Sequence, residues 1–409
     1  MLRIKPFAAL RPLPNIAAQV SSVPYDIVTT EEARQLAANN PRSFLHVLRP
    51  EIDLPVETDP YDPAVYAAAK QNFQRLLSNG DLVREDEPKL YLYRQVLNDH
   101  CQIGLVCCCH VDDYNNNIIK KHEKTRPDKE DDRTRHMLAI NAHPGPVLMT
   151  YRDQPQIDKL VAQDVNNRPL FHFDAPDGVT HTVWTVDNAQ AYCDVFAEVG
   201  AAYIADGHHR SASAARAAAQ RRAANPNHTG HEEYNWFLTV LFPASQLTIL
   251  PYNRVVTDLG GRSVDQVLEQ LSTAGTLTDT NDPQPDRSGV FGIYLNGAWK
   301  RLALDEATID RTDLIQSLDV ALLHDRVLEP IFGIGDPRSD QRLDFIGGLD
   351  GTQKLVNRVH SGEAAAAFSL FPTTIQQLLS VADAGLVMPP KSTWFEPKLR
   401  SGLFIHMLD

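Results

Sequence analysis

The run Tyr203-Ile204-Ala205-Asp206-Gly207-His208-His209-Arg210-Ser211 constrains the fold of this chain more than any other stretch. Val199 to Ala205 is apolar and reads as a short buried strand. Ala212 to Ala224 is nearly all Ala, Arg and Gln, which are strong helix formers. The chain therefore passes from strand to helix inside the polar cluster. At such a junction the first helical N–H groups lie outside the hydrogen-bond ladder and the helix dipole is positive. That combination binds anions, phosphate above all. Gly207 lets backbone approach a ligand closely, and Arg210 can fork onto phosphate oxygens. A plain helix cap by Asp206 is the simpler alternative. It accounts for one polar residue and leaves two histidines and an arginine unexplained.

The 409 residues suffice for two or three domains, and 43% hydrophobic with 22% charged residues is ordinary for a soluble globular chain. The net charge of −13 argues against a general nucleic-acid binder, although a small anionic ligand needs only a local basic pocket. No run approaches the roughly 18 apolar residues of a membrane span, and no early segment has the flanks of a signal peptide. The expectation is a cytoplasmic protein without a membrane partner. Cys107, Cys108 and Cys109 sit in one apolar run read as a buried strand, where successive side chains face opposite ways. With no CxxC pair present, the five cysteines read as small apolar residues.

Along the chain, Arg3 to Phe7 and Ser43 to Val47 read as strands. Between them, Val23-Pro24-Tyr25-Asp26 is an extended segment entering a turn, with Asp26 a turn former or a site acid. Asp62-Pro63 opens a helix that ends at Asn79-Gly80. Leu90 to Gln95 and Cys101 to Val111 read as a strand pair. The charged run Lys120 to Arg133 is a solvated loop entering a helix, or part of a site. In the second case His122 and Glu123 project beyond an apolar strand end, Lys121 and Arg133 flank them, and neighbouring cations favour the charged carboxylate of Glu123. A boundary is expected near residue 258, giving domains 1–258 and 259–409. The second is a smaller α/β layout with a hairpin around Asn296-Gly297 and helices near 313–327 and 351–360. The tail Met388 to Leu403 carries Lys391, Ser392, Thr393, Lys398 and Arg400. It reads as a phosphate- or substrate-facing loop that returns to the site, or as an ordered surface loop.

Signature motifs for a P-loop, a dinucleotide fold, a nucleophile elbow, a zincin or a protein kinase are absent. His228 and His231 lie near the adjacent pair His208-His209, but nothing fixes a metal geometry.

Four pieces together identify the chain as a member of the family called domain of unknown function 1015. They are Val23-Pro24-Tyr25-Asp26, Lys121-His122-Glu123-Lys124-Thr125 with Asp132-Arg133, Ala205-Asp206-Gly207-His208-His209-Arg210, and Pro389-Pro390-Lys391-Ser392-Thr393. The resemblance spans nearly the whole length and carries no established reaction. The Asp-Gly-His-His-Arg piece is also similar to that of free-serine kinases on the ParB/sulfiredoxin-like fold. There the equivalent strand–turn–helix holds a nucleotide's phosphates. This likeness implies a mixed α/β chain with a ParB/sulfiredoxin-like N-terminal nucleotide-binding core. Asp206, Gly207, His208, His209 and Arg210 are carried over from it; the kinases' catalytic glutamate has no aligned position.

The expectation that follows is an ATP- or ADP-dependent phosphotransferase acting on a small hydroxyl compound, with free L-serine foremost. Gly207, His209, Arg210, Ser211, Lys121 and Lys391 would hold phosphate. Asp206 would orient the histidines or help hold Mg²⁺, and Glu123 or Asp26 would accept the hydroxyl proton. Asp26, His122, Arg133, Ser392 and Thr393 would line the substrate or support the site. The alternatives are a non-catalytic or slowly hydrolysing nucleotide switch, and a metal-assisted hydrolase built on Asp206, His208 and His209.

Overall fold

The computed structural model describes all 409 residues. The chain is mixed α/β and divides into two compact units, each built around its own sheet. The first comprises Met1–Lys121, Thr125–Leu247 and Pro397–Asp409; the second comprises His122–Lys124 and Thr248–Glu396.

The apolar run through Leu105–Cys109 explains the centre of the first unit. It forms the strand His100–His110, and from Leu105 onward every residue is buried, as expected where both faces of a sheet are covered. Cys107 and Cys109 pack in the main core and contact the Thr239 hydroxyl at 3.3 and 3.4 Å. All five cysteines are free thiols. Around this strand the nine-stranded sheet runs, in spatial order, Ile119–Lys120, Ala202–Asp206, Val147–Tyr151, Trp236–Pro243, His100–His110, Tyr91–Leu97, Thr180–Thr185 and Phe171–Asp174. Ile4–Lys5 pairs with His100–His110 beside this path. Ala202–Asp206 is parallel to Ile119–Lys120, and Trp236–Pro243 is parallel to Val147–Tyr151; the other pairs are antiparallel.

The first unit has three long helices, of which His208–Ala224 packs on this sheet. Pro63–Ser78 starts as its sequence predicts: the Asp62 carboxylate accepts from the Ala64 N–H at 2.8 Å, and proline occupies the first turn. Pro127–Ile140 packs against His208–Ala224. The alanines of the second helix permit close approach, and Ser213 Oγ donates to the Glu130 carbonyl at 3.0 Å. Ser43 to Val47, expected as a strand, is instead a turn entering the short helix Leu45–Leu48. Phe44, Leu45, Val47 and Leu48 are all buried, so the apolar run carries no period that distinguishes strand from helix. The Ser43 hydroxyl accepts from the Leu45 N–H at 3.3 Å and turns the chain.

The second unit holds a six-stranded antiparallel sheet. Its spatial order is Thr276–Asp279, Ala298–Ala303, Val290–Leu295, Ala366–Leu370, Asn253–Val256 and Leu343–Ile346. Asn296 and Gly297, at φ 49° and 79°, make the expected two-residue hairpin turn. Gly351–His360 is helical as expected. The helix expected at 313–327 starts later, at Asp319–Leu323, and widens into a π-helical turn at His324–Leu328 before Glu329–Phe332. The delay has a local cause. The Asp313 carboxylate accepts from the N–H groups of Ile315 and Gln316 at 2.8 and 2.9 Å and its carbonyl from the Ser317 N–H at 3.2 Å, a single capped turn that ends before Asp319. No helix in the chain is long and apolar enough to cross a membrane.

Candidate functional site

The expected strand-to-helix junction is present. Ala202–Asp206 is a buried strand, and its pairing with Val147–Tyr151 shifts register between Ile204 and Asp206. Such a bulge re-aims the chain at a strand end. Gly207 follows in the left-handed region, at φ 102° and ψ 33°, and the helix His208–Ala224 starts immediately. A Cβ at Gly207 would lie 3.0 Å from Arg210 Nε, so both the backbone and the close approach require glycine. The first ladder bond of the helix runs from the Ser211 N–H to the Gly207 carbonyl at 2.9 Å.

Arg210 points inward from this first turn and is 6% exposed. One Nη donates to the Pro146 carbonyl. The other lies 3.5 Å from Asp206 Oδ2 and 4.0 Å from Asp26 Oδ2. Nε is buried and has no partner. Asp206 Oδ2 also stands 3.5 Å from Lys398 Nζ. Burial works against the charge of Asp206, but Lys398, Arg210 and His208 outweigh it and hold the carboxyl well below the usual carboxylate range. Beside Arg210 is a small cavity walled by Tyr25, Arg133, His136, Gly145 and Ser401. Arg133 stacks over the Tyr25 ring at 4.5 Å and is paired with Asp132 at 2.7 Å. Burial raises the Tyr25 phenol above its ordinary value. Burial, then Arg133, pushes His136 down to about 3, so its imidazole is neutral against the Val47 carbonyl at 2.7 Å.

The residues singled out from sequence divide between the units. Asp26, Arg133, Asp206, Gly207, His208, His209, Arg210, Ser211 and Lys121 belong to the first. Of these, Asp26, Asp206, Gly207 and Arg210 come together, with Arg133 along the same cavity. The Ser211 hydroxyl is turned back on the Gly207 carbonyl at 3.2 Å. Lys121 Nζ donates to the Tyr114 carbonyl at 3.0 Å and lies 4.2 Å above the Tyr114 ring. His209 Nε2 accepts from the Arg126 N–H at 3.1 Å, so that nitrogen carries no proton. The contact satisfies an amide at the start of Pro127–Ile140.

His122, Glu123, Lys391, Ser392 and Thr393 belong to the second unit. There the His122 carbonyl accepts from the Met388 N–H at 2.8 Å, and His122 Nε2 is 3.5 Å from the Thr393 hydroxyl. Ser392 Oγ donates to the Pro389 carbonyl at 2.6 Å, and Lys391 adopts the left-handed region at φ 57°. The chain thus holds two clusters, one in each unit.

Tyr25 and His136 carry no site reading in the sequence, whereas Lys398 belongs to the tail read there as a phosphate- or substrate-facing loop. Lys398 had a signal, a cation in an unusually polar tail. His136 had none, because its role follows from burial beside Arg133. Asp206, His208 and His209 do not assemble as metal ligands. Asp206 is committed to two cations and His209 to a backbone amide. The metal-capable grouping in the chain is His324, Asp325 and Glu329, whose ligand atoms lie within 4.8 Å of one another in the second unit.

Comparison with known proteins adds the following. Solved structures similar at low score include the following three. SbnI with a C-terminal truncation, from Staphylococcus aureus, has a TM-score of 0.39 at 12% identity, covering 74% of this chain and 87% of that one. A free serine kinase in complex with AMP has a TM-score of 0.35 at 11% identity, covering 71% and 86%. A conserved hypothetical protein from Pyrococcus furiosus has a TM-score of 0.35 at 12% identity, covering 74% and 95%. Among curated proteins none matches. The family model described as "Protein of unknown function (DUF1015)" matches residues 4–321, and the chain belongs to that family.

Proposed function

We propose that this chain is an ATP- or ADP-dependent phosphotransferase acting on a small hydroxyl compound, with free L-serine as the first acceptor to test. One observation carries the reading: a buried Arg210 with an unpartnered Nε stands on the first turn of a helix that opens at the left-handed Gly207. Phosphoryl transfer asks mainly for positioning and for positive charge around the transferred group. Gly207 and the first-turn amides would take phosphate oxygens, and Arg210 would fork onto them. Asp206 acts as the counter-charge that fixes Arg210 and Lys398. A Mg²⁺ ion would bring a third positive charge to the oxygen that already faces both, so Asp206 is a poor magnesium ligand as it stands, and no step is assigned to the metal. Asp26, exposed and 4.0 Å from Arg210, would accept the hydroxyl proton in the first unit. His209 would contribute through its Nδ1–H, since Nε2 is occupied.

The test is a melting-temperature screen of AMP, ADP and ATP on the wild type and Arg210→Ala, followed by product analysis with serine. The expected result is a nucleotide-dependent rise that Arg210→Ala abolishes, and phosphoserine formed only when nucleotide and serine are both present. Nucleotide binding without turnover of any hydroxyl acceptor would replace the kinase with a nucleotide switch. No rise with any nucleotide removes the phosphate reading altogether.

A further inference from the structure

The second unit buries an arginine in a different way. Arg254 lies on the strand Asn253–Val256 and is 3% exposed. No carboxylate pairs with it. Its partners are backbone carbonyls: Tyr252 on one Nη, and Pro390 and Lys391 on the other at 3.3 and 3.0 Å. A guanidinium has five N–H donors, so two remain beyond these three bonds. Its flat face lies 4.7 Å from the centre of the Phe345 ring. Burial with no acid nearby pulls the guanidinium down to about 9, far below its ordinary value. A buried charge without an opposite charge is costly, and carbonyl dipoles offset only part of that cost.

Arg254 also lines a cavity of about 210 Å³. The walls include Val320, Leu328, Leu343 and Pro389, which are apolar, and the cavity is bounded by the π-helical turn His324–Leu328. Single π-helical turns recur at ligand sites. His324 lines it too, and its Nδ1 is buried without a partner. Asp325 and Asp336, both exposed, are on the lining as well. They oppose a multiply charged anion and leave a single negative charge as the best match for Arg254.

We propose that this cavity is a binding site for a small monocarboxylate with an apolar body of a few carbons, its carboxylate on Arg254 and its hydrocarbon against Val320, Leu328 and Leu343. The site rests on no part of the nucleotide reading, since all its residues belong to the second unit. The same guanidinium holds the carbonyls of Pro390 and Lys391, so a bound carboxylate shares its anchor with the segment that carries Lys391.

The experiment is the melting temperature of the full chain with isovalerate, with the uncharged isoamyl alcohol, and with inorganic phosphate, at equal ionic strength and without nucleotide. Isovalerate raises it by a few degrees, and the alcohol and phosphate do not. Two variants locate the effect. Arg254→Met removes the charge, and Gln316→Trp, an exposed position on the lining, blocks the cavity while leaving Arg254 in place. Both lose the isovalerate response; if Arg254→Met fails to fold, Gln316→Trp decides alone. An absent isovalerate response, an equal response to phosphate or the alcohol, or a response that persists in Gln316→Trp overturns the proposal.

Discussion

Arg210 and Arg254 are both nearly fully buried, yet their surroundings differ. Arg210 has two carboxylates within 4.0 Å, and Asp206 in turn has Lys398. Arg254 has carbonyls and an aromatic face. The first arrangement is an ion network that fixes a guanidinium at a helix start, with one nitrogen left over. The second is a positive charge with no carboxylate paired to it. The difference teaches that burial of a cation has two meanings. Inside a network the guanidinium is held by its counter-charges and keeps one donor for a ligand; without one its charge is left to carbonyl dipoles.

The comparison is broken most directly by removing each charge. Arg210→Met leaves Asp206 with Lys398 alone and should cost about 3–5 kcal/mol, the range for breaking a buried pair. Arg254→Met removes an unpaired buried charge but strands three carbonyls, and the net loss should stay within about 1–2 kcal/mol. Denaturant unfolding of both variants measures this. Equal losses would mean that the two arginines are buried on the same terms.

Acid should separate the units next. His136 and His181 are each depressed to about 3, by burial first. The unfolded chain therefore binds more protons than the folded one below the ordinary imidazole value near 6.5. The first unit loses stability as pH falls, on the order of 3 kcal/mol per histidine by about pH 4. Asp319 behaves oppositely. Burial raises its carboxyl to about 6, so the folded state binds the extra proton and stability rises as pH falls from 7 through 6 toward 4. Local hydrogen exchange against pH should show amides of the first unit opening and those around Asp319 tightening. Asp319→Asn should abolish only the second effect.

Gly207→Ala comes third. It places a Cβ in the left-handed region and 3.0 Å from Arg210 Nε, at a cost of about 1–2 kcal/mol. Any nucleotide response should weaken with it, while isovalerate binding is unchanged. The smallest effect is the coupling between Asp206 and Lys398 at 3.5 Å, which a double-mutant cycle with Asp206→Asn and Lys398→Met should put at roughly 1 kcal/mol.

Much of the first site was legible because its signal is local. A buried strand, a glycine and an alanine-rich helix follow one another within a few residues, and each element declares itself by composition. Family membership was legible in the same motifs. Ser43 to Val47 was misread because a short fully buried segment has no polar side to reveal its period. The helix expected from 313 starts late because the capped turn at Asp313–Ser317 is not continued into Asp319–Leu323, a break that apolar periodicity does not register. Lys398 reaches Asp206 across nearly half the chain, and no pattern in a single sequence records such a pairing. Nothing in the run Asn253-Arg254-Val255-Val256 marks Arg254; only its burial without a paired carboxylate in the folded unit sets it apart.

The return of Pro397–Asp409 to the first unit has a consequence for biosynthesis. His406–Met407 pairs with Ala142–His143, and Lys398 supplies one of the two cations on Asp206. A ribosome makes these residues only after all of Thr248–Glu396. The first unit, although mostly translated earlier, cannot form this two-stranded pairing or complete its ion network until the second has emerged. During that interval Asp206 lacks one partner, and Ala142–His143 lacks the segment that its backbone pairs with.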